Sequence, residues 1–179
     1  SQLHEPDFFS TIMRRMEEHE IEAHHLTIEI TESVLVTNAD DASRLLMQLK
    51  DAGIRVAIDD FGVGYSSLQY LAKLPVDIVK IDKTFVQELD EKSGAGYRLF
   101  EAMVNLGRTL GLEIVAEGIE TEEHERQVRA FGCDYGQGYL YSKPVPLDEA
   151  FLITQTAPRA STASEQEHVR NRTLITKDD

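Results

Sequence analysis

The chain has 179 residues, 41% of them hydrophobic, with a formal charge of −14 and one cysteine; that length and composition fill one core and exclude disorder throughout. The charge excludes a surface that grips a nucleic acid polymer by its backbone, and excludes polybasic membrane docking, yet leaves room for one small phosphorylated ligand held through metal ions. Cys133 alone makes neither an intrachain disulfide nor a cysteine zinc cluster, no apolar run spans a bilayer, and His4, Glu5 and Asp7 stand where a signal peptide needs basic and then apolar residues, so the expectation is a cytoplasmic chain with no direct membrane contact.

Pro6 suits a first helical turn, and Phe9, Ile12, Met13 and Met16 follow at the spacing by which a helix covers a sheet. The adjacent His24 and His25 precede a strand and read as an exposed turn. From Leu26 to Thr31 the chain alternates, with Leu26, Ile28 and Ile30 on one face and Thr27, Glu29 and Thr31 on the other. Asn38 can cap the next helix, which buries Ala42, Leu45, Leu46 and Leu49 and stops at Gly53.

The stretch VAIDDFGVGYSSL, Val56 to Leu68, ends a strand on Asp59 and Asp60, and Gly62 and Gly64 let the chain leave it sharply. Adjacent acids repel unless a proton or cation sits between them, and hard divalent ions take oxygen ligands in this way; an Asp-rich turn with a helix cap is the alternative. A short helix from Ser66 to Ala72 precedes Pro75. In the strand from Val76 to Asp82, Ile78, Lys80 and Asp82 share one face and Val79 and Ile81 the other. Lys80 is either an ammonium beside the acids or a lysine reaching solvent along its own stem.

A loop is expected from Asp90 to Gly96, then a helix marked by Leu99, Met103, Leu106 and Leu110 and closed by Gly111. Leu112 to Glu117 is a strand with Ile114 and Ala116 outside and Glu113, Val115 and Glu117 inside. Thr121 opens a helix that is acidic at Glu122 and Glu123, basic at Arg126 and Arg129, and stopped by Gly132. CDYGQGYLY, Cys133 to Tyr141, is a short strand with Gln137 between two glycines, a last helix runs from Leu147 to Thr154, and residues 158–179 read as a polar, mobile tail.

Alternating strands and helices with apolar outer strand faces predict an α/β fold with a parallel sheet covered by helices. Glu29, Asp59, Asp60, Lys80, Glu117 and Gln137 fall at or near the C-terminal ends of five successive strands, where barrel enzymes assemble their sites. An open doubly wound sheet is the competitor; a receiver-type domain would need its acidic pair on the first strand and its lysine on the last.

IEITES, AIDDFGVGYSSL, VKIDKTFV, VAEGIE and QGYLYSKP, in this order and spacing, resemble the EAL family of cyclic di-GMP phosphodiesterases from about Leu3 to Phe151. The resemblance implies an eight-stranded TIM-type barrel whose first strand is antiparallel. It further implies two Mg2+ or Mn2+ ions that activate water to open cyclic di-GMP to linear pGpG. Glu29 matches the metal-binding Glu of the family's E-x-T-E motif, and Asp59 and Asp60 its metal-binding pair. Lys80 matches the lysine that contacts the attacking water or phosphate. Glu117 matches a metal-site Glu also proposed as general base, Gln137 a Gln that orders the site, and Glu32 the second Glu of its motif, which steadies the loop after the acidic pair. Val63 stands where Thr is usual.

The motif that names the family, and the next strand with its metal-binding Asn, are not found in this sequence. The expectation is therefore a C-terminal part of an EAL domain over residues 1–157, a partial TIM-type (β/α) barrel with about five of eight strands, inactive alone although its parent domain is a phosphodiesterase. A catalytically inactive cyclic di-GMP binding module or a protein-interaction module is the alternative. An open sheet edge invites association with another chain, a homodimer included.

Overall fold

The computed structural model describes residues 7–32, 39–64, 71–90 and 94–156. Pro6, the Asn38 cap, the start of the helix expected at Ser66 and the tail from 158 lie outside them. Helix α1, Phe8–Glu18, leads to an exposed 3-10 turn, Ala23–His25, and into β1, Thr27–Thr31. Helix α2, Ala39–Asp51, is followed by β2, Arg55–Phe61, and β3, Ile78–Ile81. Then come the short α3, Lys83–Gln87, the long α4, Ala95–Thr109, β4, Glu113–Ala116, α5, Glu122–Phe131, β5, Tyr135–Gly136, and α6, Leu147–Thr156.

The five strands are all parallel and lie side by side in chain order. Among the described residues their order never reverses and no switch point occurs, and the doubly wound alternative is set aside in favour of a barrel wall. Alternation sorts the side chains. Ile30, Val56, Ile58, Val79, Ile81, Ile114 and Ala116 point outward into one core with Leu46 and Leu49 of α2, Phe100, Met103 and Val104 of α4 and Val128 of α5. Each fully buried Leu or Ile there contributes about 1.5–3 kcal/mol.

Two aspartates do the same job at the foot of the sheet. Asp77, just before β3, accepts the Val56 N–H of β2 at 2.9 Å and pairs with Lys50 of α2; Asp134, just before β5, accepts the Ile114 N–H of β4 at 2.8 Å. Each satisfies a donor at the start of the preceding strand that the ladder leaves over. Thr121 accepts the His124 N–H as the cap of α5, and Gly132 closes that helix in left-handed backbone at φ 77°.

The structure departs from the sequence expectations in five places. The strand expected over Cys133 to Tyr141 is only Tyr135–Gly136, and the chain then turns, the Tyr141 N–H donating to the Gly138 carbonyl at 3.1 Å. Helix α4 begins at Ala95 with Gly94 as its N-cap, so the expected loop to Gly96 is shorter. Its buried stripe is Phe100, Met103, Val104 and Gly107, while Leu99 is exposed; the apolar spacing fits two stripes one residue apart, and the sheet takes the one that carries the aromatic ring. Asp82 does not continue the face of Lys80, because β3 ends at Ile81 and Asp82 turns to cap α3, accepting the Thr84 N–H at 2.9 Å. That helix was not foreseen, being only five residues long.

Candidate active site

The inner face of the sheet is stacked in layers, as alternation in a barrel wall requires. At the bottom Arg55 pairs with Glu113 at 2.7 Å. Above them Ala57, Ile78 and Val115 pack with Tyr135. At the top, toward the C-terminal ends of the strands, stand the polar residues. Glu29, Lys80 and Gln137 line the same concavity as these lower layers.

Lys80 is the centre of that top layer. Its side chain is 3% exposed, and its ammonium lies 2.8 Å from Glu29 Oε2, 2.9 Å from Asp59 Oδ1 and 2.7 Å from Glu117 Oε1. Burial opposes the charge on Lys80, but Glu117, with hydrogen bonds to Glu29 and Asp59, outweighs it and holds the pKa above that of an ordinary lysine. Burial pushes the Glu117 carboxyl up against the pull of Lys80, and repulsion from Asp59 and Glu29 adds to it. Asp60 is exposed and sits at φ 54°, a left-handed conformation uncommon outside glycine. Loss of solvent on its sheltered side, then repulsion from Asp59, raises its pKa too.

One oxygen from each of Asp59, Asp60 and Glu117 lies within 4.8 Å of the others. An all-oxygen set of this size suits a hard divalent cation, so the residues fit the metal that the family resemblance implies. Glu32, 4% exposed, accepts the N–H groups of Gly62 at 3.0 Å and Gly64 at 3.3 Å, which pins the backbone directly after the acidic pair. Gln137 is held by its main chain, donating to Ala116 at 2.9 Å and accepting from Ile119 at 3.0 Å. Its side-chain Oε1 is buried and has no hydrogen-bond partner among the described residues, an acceptor left over for a donor from elsewhere.

The structure thus brings Glu29, Asp59, Lys80 and Glu117 into one cluster, sets Asp60 beside it, Gln137 on its flank and Glu32 under its loop. Arg55 and Tyr135 were not picked out as inner-face residues from the sequence. Arg55 could have been, since it stands two positions before Ala57 on the same face of the strand.

The family described as EAL domain matches residues 1–144. MucR of Pseudomonas aeruginosa, a bifunctional diguanylate cyclase/cyclic di-GMP phosphodiesterase, is 44% identical over 131 residues, 73% of this chain and 19% of that protein. The PaMucR phosphodiesterase in complex with c-di-GMP has a similar structure, with a TM-score of 0.79 and 40% identity over 83% of this chain and 60% of the other. The manganese/cy-diGMP complex of Klebsiella pneumoniae BlrP1 gives 0.73 and 32% over 79% of this chain and 36% of that one. This chain spans about a fifth of the length of MucR. The five-stranded parallel sheet is a partial barrel of TIM type, and the chain belongs to the EAL domain family.

Proposed function

We propose that the domain to which these five strands belong hydrolyses cyclic di-GMP to linear pGpG in the cytoplasm, using Mg2+ or Mn2+. The observation that carries this is the top layer itself: three carboxylates gathered on the buried Lys80, with Asp60 beside them, at the C-terminal mouth of a barrel wall. Asp59, Asp60, Glu117 and, next to them, Glu29 would hold the metal, which when bound supplies charge to stabilise a phosphoryl group and to acidify a water. In the reaction a water oxygen bonds to phosphorus, the phosphorus to 3′-oxygen bond breaks, the 3′-oxygen takes up a proton and leaves as a hydroxyl, and the opened dinucleotide keeps a 5′-phosphate. Glu117, half-buried beside Asp59 and Asp60, is the carboxylate placed to accept the proton of that water. Lys80 keeps the acids converged and offers its positive charge to the phosphate, and Gln137 Oε1 accepts a hydrogen bond from the substrate or its water.

Asp59→Asn and Lys80→Ala in the complete domain test this. Both should lower pGpG release by at least about a hundredfold, Asp59→Asn with a native far-UV spectrum and Lys80→Ala when assayed below its own lowered melting temperature. Near-normal turnover in either variant overturns the assignment of that residue. Tight dinucleotide binding with no turnover in the unmutated domain would make it a receptor instead.

A further inference from the structure

A second group of metal-ligating side chains stands apart from the carboxylates. Glu22, His24 and His25 flank and form the 3-10 turn that precedes β1. The His24 Nδ1 lies 3.4 Å from Glu22 Oε2, the two imidazole rings are 3.9 Å apart between centroids, and one ligand atom from each residue falls within 4.8 Å of the others. A tetrahedral metal with bonds of about 2.0–2.1 Å holds its ligand atoms about 3.3 Å apart. The Glu22 to His24 pair is already at that spacing. The side chains of His24 and Glu22 are 62% and 71% exposed, and His25 is exposed as well, so its ring can close the remaining gap by turning in solvent.

We propose that Glu22, His24 and His25 form a nitrogen-rich site for Zn2+ at the N-terminal end of the sheet, separate from the oxygen site at the other end. The two donor sets select differently: imidazole nitrogens favour borderline ions such as Zn2+, whereas the acids of the mouth favour Mg2+ or Mn2+. The backbone beneath the turn is fixed, since the Arg55 N–H of β2 donates to the Leu26 carbonyl at 3.1 Å. The backbone is extended from Leu26, and from there to Glu29 it rises about 10 Å, so an ion held on the turn contacts none of the mouth's ligands. Three protein ligands leave a position for water or for a fourth ligand from another molecule.

The test is titration of the 179-residue chain with Co2+ under excess Mg2+, read by the visible absorption of cobalt in a nitrogen and oxygen field, followed by displacement with Zn2+. One equivalent should bind, Zn2+ should displace it, and Asp59→Asn should leave it unchanged. His24→Ala and His25→Ala should each weaken it by more than about tenfold, with Glu22→Gln in between. An unchanged titration in the His24→Ala/His25→Ala double variant, or loss of the signal in Asp59→Asn alone, overturns the proposal. Ring-proton NMR of the unmutated chain gives an independent check: Zn2+ should shift the His24 and His25 resonances, and the absence of any shift at one equivalent also overturns it.

Discussion

Lys80 is the one cation among three carboxylates, and its removal should be felt before any chemistry is assayed. Lys80→Met keeps the stem that packs on the sheet but leaves Glu29, Asp59 and Glu117 facing one another with nothing between them. Breaking a buried pair in this way costs about 3–5 kcal/mol. The variant should melt well below the parent in chelator and regain part of the loss on adding Mn2+, whereas the parent should respond much less; a melting curve in each condition decides it. Cys133 makes a different test. Burial, then repulsion from Asp134, pushes its thiol from 9.0 up to about 12, so between pH 9 and 12 the unfolded chain sheds this proton and the folded chain keeps it. Stability must then fall as pH rises, by up to about 1.4 kcal/mol per unit from this group, and Cys133→Ala should flatten the alkaline limb of the stability profile. At this scale the site was legible because carboxylates and a lysine inside apolar strands have few structural excuses. The orphaned Gln137 Oε1 and the left-handed Asp60 were not, since neither follows from residue type or alternation.

The first four strands were legible as elements because alternation has a fixed period and a one-residue error would turn a whole face inside out, whereas β5 is only Tyr135–Gly136, too short for a period to show. The helices were legible where an apolar stripe ran three turns. Short α3 fails that condition, and in α4 the neighbouring stripes of Leu99 and Phe100 could be separated only by what the sheet accepts. Between β5 and α6 the chain makes a contact that no periodicity announces: a Cβ added at Gly138 would lie 2.1 Å from the Ile119 carbonyl oxygen. A backbone atom cannot step aside as a side chain can. Gly138→Ala should therefore cost about 3 kcal/mol, and because the Ile119 N–H is bonded to the Gln137 carbonyl, the loss should come with displacement of Gln137. Denaturant titration gives the first quantity and the amide shift of Ile119 the second.

Across the whole molecule, barrel topology was readable because strand and helix patterns alternate along the sequence, and the polar residues that gather at one end did so by falling late in each strand. Strand number and closure are not properties of a pattern, and within the described residues β1 and β5 each have one neighbour only. Edges of this kind template further pairing. Sedimentation velocity of the 179-residue chain should show mass increasing with concentration, and a single monomeric boundary across a hundredfold range would refute it. The aspartates at the feet of β3 and β5 give this architecture a direction in time. Each fastens the strand before it, so β3 is latched to β2 and β5 to β4, and the strands neighbour one another in the order in which the ribosome delivers them. A wall laid in that sequence has one growing edge during synthesis, and each strand from β2 to β5 finds its first neighbour already made.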